Sequence, residues 1–165
     1  MPEGMVRKLY TIGFSKKTAQ EFFEALRKSG VQMLVDIRRN NKSQISGYAK
    51  FPDLPYFLSL FEISYLYLPE ASPSKKLLQN FRKERVDWEI YRDVFCNELF
   101  KNREFLLDVF TELFSRFNVV CLLCSENDYR FCHRTIVATF LREHIENLEV
   151  LHILKKGKRI VEEVF

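Results

Sequence analysis

The side chains best able to do chemistry gather in one short stretch, CSENDYRFCHR at residues 124–134, which holds two cysteines, a histidine, two arginines and two carboxylates. Cys124, Cys132 and His133 could ligate zinc or another divalent metal, with Cys121, Glu126, Asp36 or a water as the fourth ligand. Two features of the spacing count against a metal. Seven residues separate the two cysteines, unlike the short paired spacings of most structural zinc sites, and the adjacent Cys132 and His133 must point differently to share one ion.

Nucleophilic chemistry is the second reading. A helix starting near Cys132 would set that thiol, His133 and Arg134 among unpaired N–H groups, which attract anions and lower a thiol pKa. Arg134 would add a planar fork suited to phosphate or carboxylate. Cys124 and Arg130 have five residues between them, the spacing of cysteine phosphatase loops. Ser125 to Tyr129, however, include no glycine and carry two acids, which would repel a phosphate rather than cradle it.

Carboxylates give a third reading. Asp36, Glu70 and Glu126 would meet Arg38, Arg39 and Arg134, so that positive groups hold an anion while a carboxylate serves as acid, base or nucleophile. The competing structural reading is a network of ion pairs that organises loops, with Arg134 paired to Glu126 or Asp36.

These residues meet only if the fold brings them to one edge. Leu9–Phe14, Val31–Ile37, Ile63–Leu68, Val119–Cys124 and Leu148–Leu154 are short apolar runs of buried-strand character, and a last segment, RIVEEVF, follows the turn formers KKGK. Helical stripes separate them. Thr18 and Glu21 have capping-box spacing ahead of Ala19, Phe22, Phe23 and Leu26. Leu54, Phe57, Leu58 and Phe61 suggest a short helix, residues 70–104 two more, Phe105–Phe117 another, and Ile136–Ile145 the last. Alternation of this kind implies an α/β fold with an open, mainly parallel, five- to six-stranded sheet and helices on both faces, Rossmann-like. Ligands of such sheets sit beyond the carboxyl ends of the strands. The residues leaving those ends are Ser15, then Asp36, Arg38 and Arg39, then Glu70, then Cys124 and Glu126.

The 165 residues favour one domain, and 47% hydrophobic with 29% charged content is that of a globular protein. No apolar stretch approaches the roughly 20 residues of a membrane span, and MPEGMVRK lacks the apolar core of a signal peptide, so the cytoplasm is the expected setting. Reduced thiols are expected of Cys96, Cys121, Cys124 and Cys132. A net charge of +4 permits an anionic partner without announcing one. Basic clusters at Lys75–Lys76, Arg82–Arg85 and Lys155–Arg159 read as solvated faces, although Tyr48, Phe51 and Trp88 nearby could stack on a base. His144 and His152 have no ligand-spaced partner.

YTIGFS at 10–15, VDIRRN at 35–40, the stretch from Ser43 to Lys50, YLYLPE at 65–70 and LLCSE…CHR at 122–134 together resemble the domain-of-unknown-function family 488, in order and over nearly the whole chain. The resemblance implies a small cytosolic α/β protein of prokaryotes whose motif residues look enzymatic. Its motif positions fall on Asp36, Arg38, Arg39, Ser43, Glu70, Cys124, Glu126, Cys132, His133 and Arg134. Asn41 stands where a proline is common, Gln44 where a basic residue is, and Ala71-Ser72 in place of Leu-Gly. These departures touch loops, and so bear on the substrate more than on the charged constellation.

The expected protein is therefore enzyme-like, a hydrolase or transferase that binds a nucleotide or nucleic acid at the carboxyl edge. Ser15, Arg38, Arg39, Ser43, Glu70 and Arg134 would hold the anion, while Asp36, Glu126, Cys132 and His133 carry the chemistry. The alternative is a non-catalytic metal- or nucleic-acid-binding module that uses Cys124, Cys132 and His133.

Overall fold

The structure, a computed structural model, describes residues 5–42 and 47–165. Strands β1 (Arg7–Gly13), β2 (Met33–Asp36), β3 (Ser64–Tyr67), β4 (Val119–Cys124), β5 (Leu148–Lys156) and β6 (Arg159–Val164) form one sheet in the order β3-β2-β4-β1-β5-β6. All pairings among the first five are parallel, and β6 returns antiparallel to β5. Gly157 takes a φ of 60° in the turn between them, where a side chain would be strained. This is the open α/β sheet that the alternation of runs and stripes predicts.

Strand periodicity assigns the core. Leu9, Met33, Val35, Val120, Leu122 and Val150 face one side, and Tyr10, Ile12, Leu34, Cys121, Leu123 and Leu151 face the other. The first side is covered by α3 (Lys75–Arg82), α4 (Trp88–Lys101), α5 (Arg103–Arg116) and α6 (His133–His144), the second by α1 (Ala19–Lys28) and α2 (Asp53–Leu60). The capping box of α1 is formed as its sequence predicts, with Thr18 Oγ1 accepting from the Glu21 N–H and Glu21 Oε2 accepting from the Thr18 N–H.

Residues 70–104 hold the two expected helices, α3 and α4. Their period is blurred in the sequence because α4 buries Tyr91, Phe95 and Leu99 while leaving Ile90, Val94 and Phe100 exposed. No helix among the described residues is long and apolar enough to cross a membrane.

Candidate active site at the carboxyl edge

Cys124 ends β4 on the α4–α6 side of the sheet. The chain then loops through 125–131 and re-enters at Cys132, whose extended backbone (φ −128°, ψ 140°) precedes His133, the first residue of α6. That change from extended to helical backbone lets two adjacent side chains face one point. Cys132 Sγ lies 3.1 Å from Cys124 Sγ, and His133 Nδ1 lies 3.5 Å from the same sulfur. His133 Nε2 is 2.9 Å from the carbonyl oxygen of Ile37, at the end of β2. The three residues are 4%, 4% and 7% exposed.

The charge state of Cys124 is tied to those of Cys132 and His133. The hydrogen bond from Cys132, and after it the charge of His133, hold the Cys124 thiol well below its ordinary range against the opposing effect of burial. Burial, and then the neighbouring Cys124 sulfur, push the Cys132 thiol well up. Burial alone would lower His133, but the Cys124 thiolate outweighs it, and the imidazole is raised.

Asp36 stands on the opposite face of the sheet and is fully engaged. Its Oδ1 accepts from the Arg38 N–H (3.2 Å) and Nε (2.8 Å), and its Oδ2 from Arg38 NH2 (2.8 Å) and the Tyr65 hydroxyl (2.6 Å). Arg38 also donates to the Ala49 carbonyl at 2.6 Å and lies over the Phe14 ring. This is a buried, bidentate pair with its lone pairs satisfied.

Arg134 is completely buried. Its guanidinium donates to the carbonyl oxygens of Glu126 and of Asn127 (3.0 Å), so it meets the Glu126 backbone and not the Glu126 carboxylate. Nε of Arg134 is buried without a partner among the described residues. Lys17, 7% exposed, donates through Nζ to Asn127 Oδ1 at 2.8 Å. Burial, and then repulsion by Arg134, lower its ammonium pKa to about 8. The carboxylate of Glu21 pairs at 2.9 Å with Lys155 and its charge opposes part of that lowering, while the hydrogen-bond partners of Lys17 and Arg134 are amide oxygens.

The remaining expected residues are spread along the same edge. Arg39 donates to the carbonyl oxygens of Ser72 (3.0 Å) and Pro73 (2.9 Å), and the Ser15 N–H donates to the Ser125 carbonyl at 3.0 Å. Glu70, in the short helical turn Pro69–Ala71, and Glu126 are both exposed. Ser43 lies outside the described residues. Arg130 forks onto Asp128 at 2.6–3.2 Å, and so does not complete a phosphatase-type loop around Cys124. Phe131, 61% exposed, stands edge-on to Trp88 with ring centroids 5.6 Å apart.

Sequence reasoning missed Lys17 and Tyr65. Lys17 lies in the same loop beyond the carboxyl end of β1 as Ser15, and that position could have flagged it. Tyr65 and Asp36 share a face only through the register that pairs Val35 with Leu66, which no local pattern contains.

No curated protein and no solved structure matches the chain significantly. Residues 18–141, from α1 through most of α6, match the family model of the domain of unknown function DUF488, and the chain belongs to that family.

Proposed function

We propose that the protein binds an anionic substrate, a nucleotide or nucleic acid, at the carboxyl edge of the sheet and acts on it as a hydrolase or transferase. One observation carries the reading: Lys17 and Arg134 are buried cations near one another whose hydrogen-bond partners among the described residues are neutral amide oxygens, with the Glu21 charge offsetting Lys17 only in part. Burying an unpaired charge costs several kcal/mol, and an incoming phosphate would offset that cost. Exposed Lys16 and Lys42 extend the positive field into the same loops. Phe131 and Phe51 offer exposed aromatic faces on which a base can stack.

Within this reading Lys17 touches the anion and Arg134 acts through its charge and through the loop it holds. Glu126, exposed and without a side-chain partner among the described residues, is the acid or base. Asp36 and Arg38 fix the loop after β2, while Cys132 and His133 shape the floor. The free thiols of Cys96, Cys121, Cys124 and Cys132 suit a reducing, cytoplasmic setting.

The test is calorimetric titration with nucleotides, together with fluorescence anisotropy of short single-stranded DNA and RNA at low salt, on the natural chain and on Lys17→Met. Expected is salt-sensitive binding that weakens at least about tenfold in the variant, the loss of one charge-assisted hydrogen bond. Folded protein that binds none of these, or a variant that binds as well as the natural chain, would overturn the reading.

A further inference from the structure

Cys124, Cys132 and His133, all buried, place two sulfurs and a ring nitrogen within 4.8 Å of one another. We infer that they form a site for a thiophilic divalent cation, zinc foremost. The inference goes beyond anion binding and does not depend on it, since a metal can bind a chain that takes no nucleotide.

Three observations support it. The first is distance. A tetrahedral zinc with ordinary bond lengths separates sulfur from imidazole nitrogen by about 3.6 Å and sulfur from sulfur by about 3.8 Å. Cys124 Sγ and His133 Nδ1 already stand at 3.5 Å, and the two sulfurs, at 3.1 Å, need only part slightly.

The second is the orientation of His133. With Nε2–H donating to the Ile37 carbonyl, Nδ1 is the nitrogen nearer Cys124, and loss of its proton frees a lone pair there for a metal. Metal-ligating histidines almost always show that arrangement, the far nitrogen held by a carbonyl or carboxylate so that tautomer and ring plane are fixed. Because the anchor is a main-chain group at the end of β2, and the ligands come from the end of β4 and the start of α6, the three donors are held by the sheet framework rather than by a mobile loop.

The third is what surrounds them. Tyr91, 2% exposed, belongs with Phe95 to the apolar cluster on this side of the sheet. Phe95 meets the His133 ring edge-on at 5.9 Å and closes another side. Two cysteines and one histidine leave one position of a tetrahedron open, the composition of a catalytic rather than a closed structural zinc site. On binding Zn²⁺ both sulfurs coordinate as thiolates, His133 coordinates through neutral Nδ1, and the displaced protons go to solvent. No electrons are transferred.

The experiment is metal loading of chelator-treated protein kept under a phosphine reductant, so that Cys124 and Cys132 stay as thiols. Zn²⁺ is titrated against a chromophoric chelator, bound metal is counted by elemental mass spectrometry after desalting, and Co²⁺ replaces Zn²⁺ in a parallel sample read by absorption. One ion per chain is expected, with a thiolate-to-cobalt charge-transfer band in the near ultraviolet. Cys132→Ser should weaken zinc by more than about a hundredfold, beyond the upper end of what loss of an outer partner costs. His133→Gln should reduce the d–d intensity while keeping the sulfur band. Folded wild-type protein, checked by circular dichroism, that takes up no stoichiometric zinc would overturn the inference even if every variant misfolds. So would metal retained at full stoichiometry in folded Cys124→Ser and Cys132→Ser.

Discussion

The carbonyl oxygen of Glu126 occupies the place where Gly13 would carry a side chain: a Cβ built on Gly13 lies 1.6 Å from that oxygen and 2.6 Å from Arg134 NH1. The last residue of β1 thus lets the loop after β4 fold down until Arg134 can reach it. Gly13→Ala should push residues 125–127 away, break both Arg134 bonds and cost about 3 kcal/mol or more, above ordinary overpacking because the clash is with backbone. Urea unfolding measures the cost. A loss under 1 kcal/mol would mean that the loop yields freely and that Arg134 does not depend on it.

Lys17 links pH to anion binding. Its folded pKa is lowered to about 8 from 10.5, so near pH 7 it is charged in both folded and unfolded chains and the cost of burying it is fully present. That cost is relieved as pH rises from 8 towards 10.5. An anion seated on Lys17 raises the pKa again, so binding above about pH 8 should take up a proton and affinity should fall as pH rises through that value. Calorimetry at pH 8.5 in two buffers of different ionisation enthalpy reads the uptake directly. Equal heats in the two buffers would remove Lys17 from the anion site.

Much of this was legible in the chain because its signals are local. The strand runs, the Thr18–Glu21 box and the placement of reactive residues at strand carboxyl ends follow from period and capping, and the structure repeats them within a residue or two at most boundaries. The network among those residues was not legible, because it depends on which strands are neighbours. Arg134 could have met Asp36 or the Glu126 carboxylate; strand order instead gives Asp36 to Arg38 and Tyr65 and leaves Arg134 to main-chain oxygens. The convergence of Cys132 and His133, an obstacle on spacing alone, is resolved by the change of backbone at the start of α6.

His152 predicts an acid limit on stability. It is buried in β5, shares a 2.6 Å hydrogen bond with Thr11 and stacks on Tyr129 at 3.9 Å, while its Nε2 has no partner among the described residues. Burial, then the charge of Arg134, lower its pKa to about 4, with Glu163 opposing and Arg142 adding a little. The unfolded chain therefore binds the proton first. Stability from this group is complete above about pH 6.5 and is lost as pH falls through 4, about 3 kcal/mol in all. In His152→Leu the slope of unfolding free energy against pH should flatten over that window by up to one proton. An unchanged slope would place the titration elsewhere.

Asp36 and Glu126, both carboxylates at the same edge, should behave in opposite ways. Asp36→Asn leaves the Arg38 guanidinium buried without its counter-charge, and breaking a buried pair from one side costs about 3–5 kcal/mol. Glu126→Gln changes an exposed side chain with no partner among the described residues, so stability should stay within about 0.5 kcal/mol. If Glu126 is the acid or base, turnover of a bound nucleotide or nucleic acid should fall by about a hundredfold or more in Glu126→Gln while binding persists. Thermal melts and single-turnover assays on both variants separate the roles. Full turnover in Glu126→Gln would move the proton transfer to another group, and a stable Asp36→Asn would show that Arg38 is held by Ala49 and Phe14 without the carboxylate.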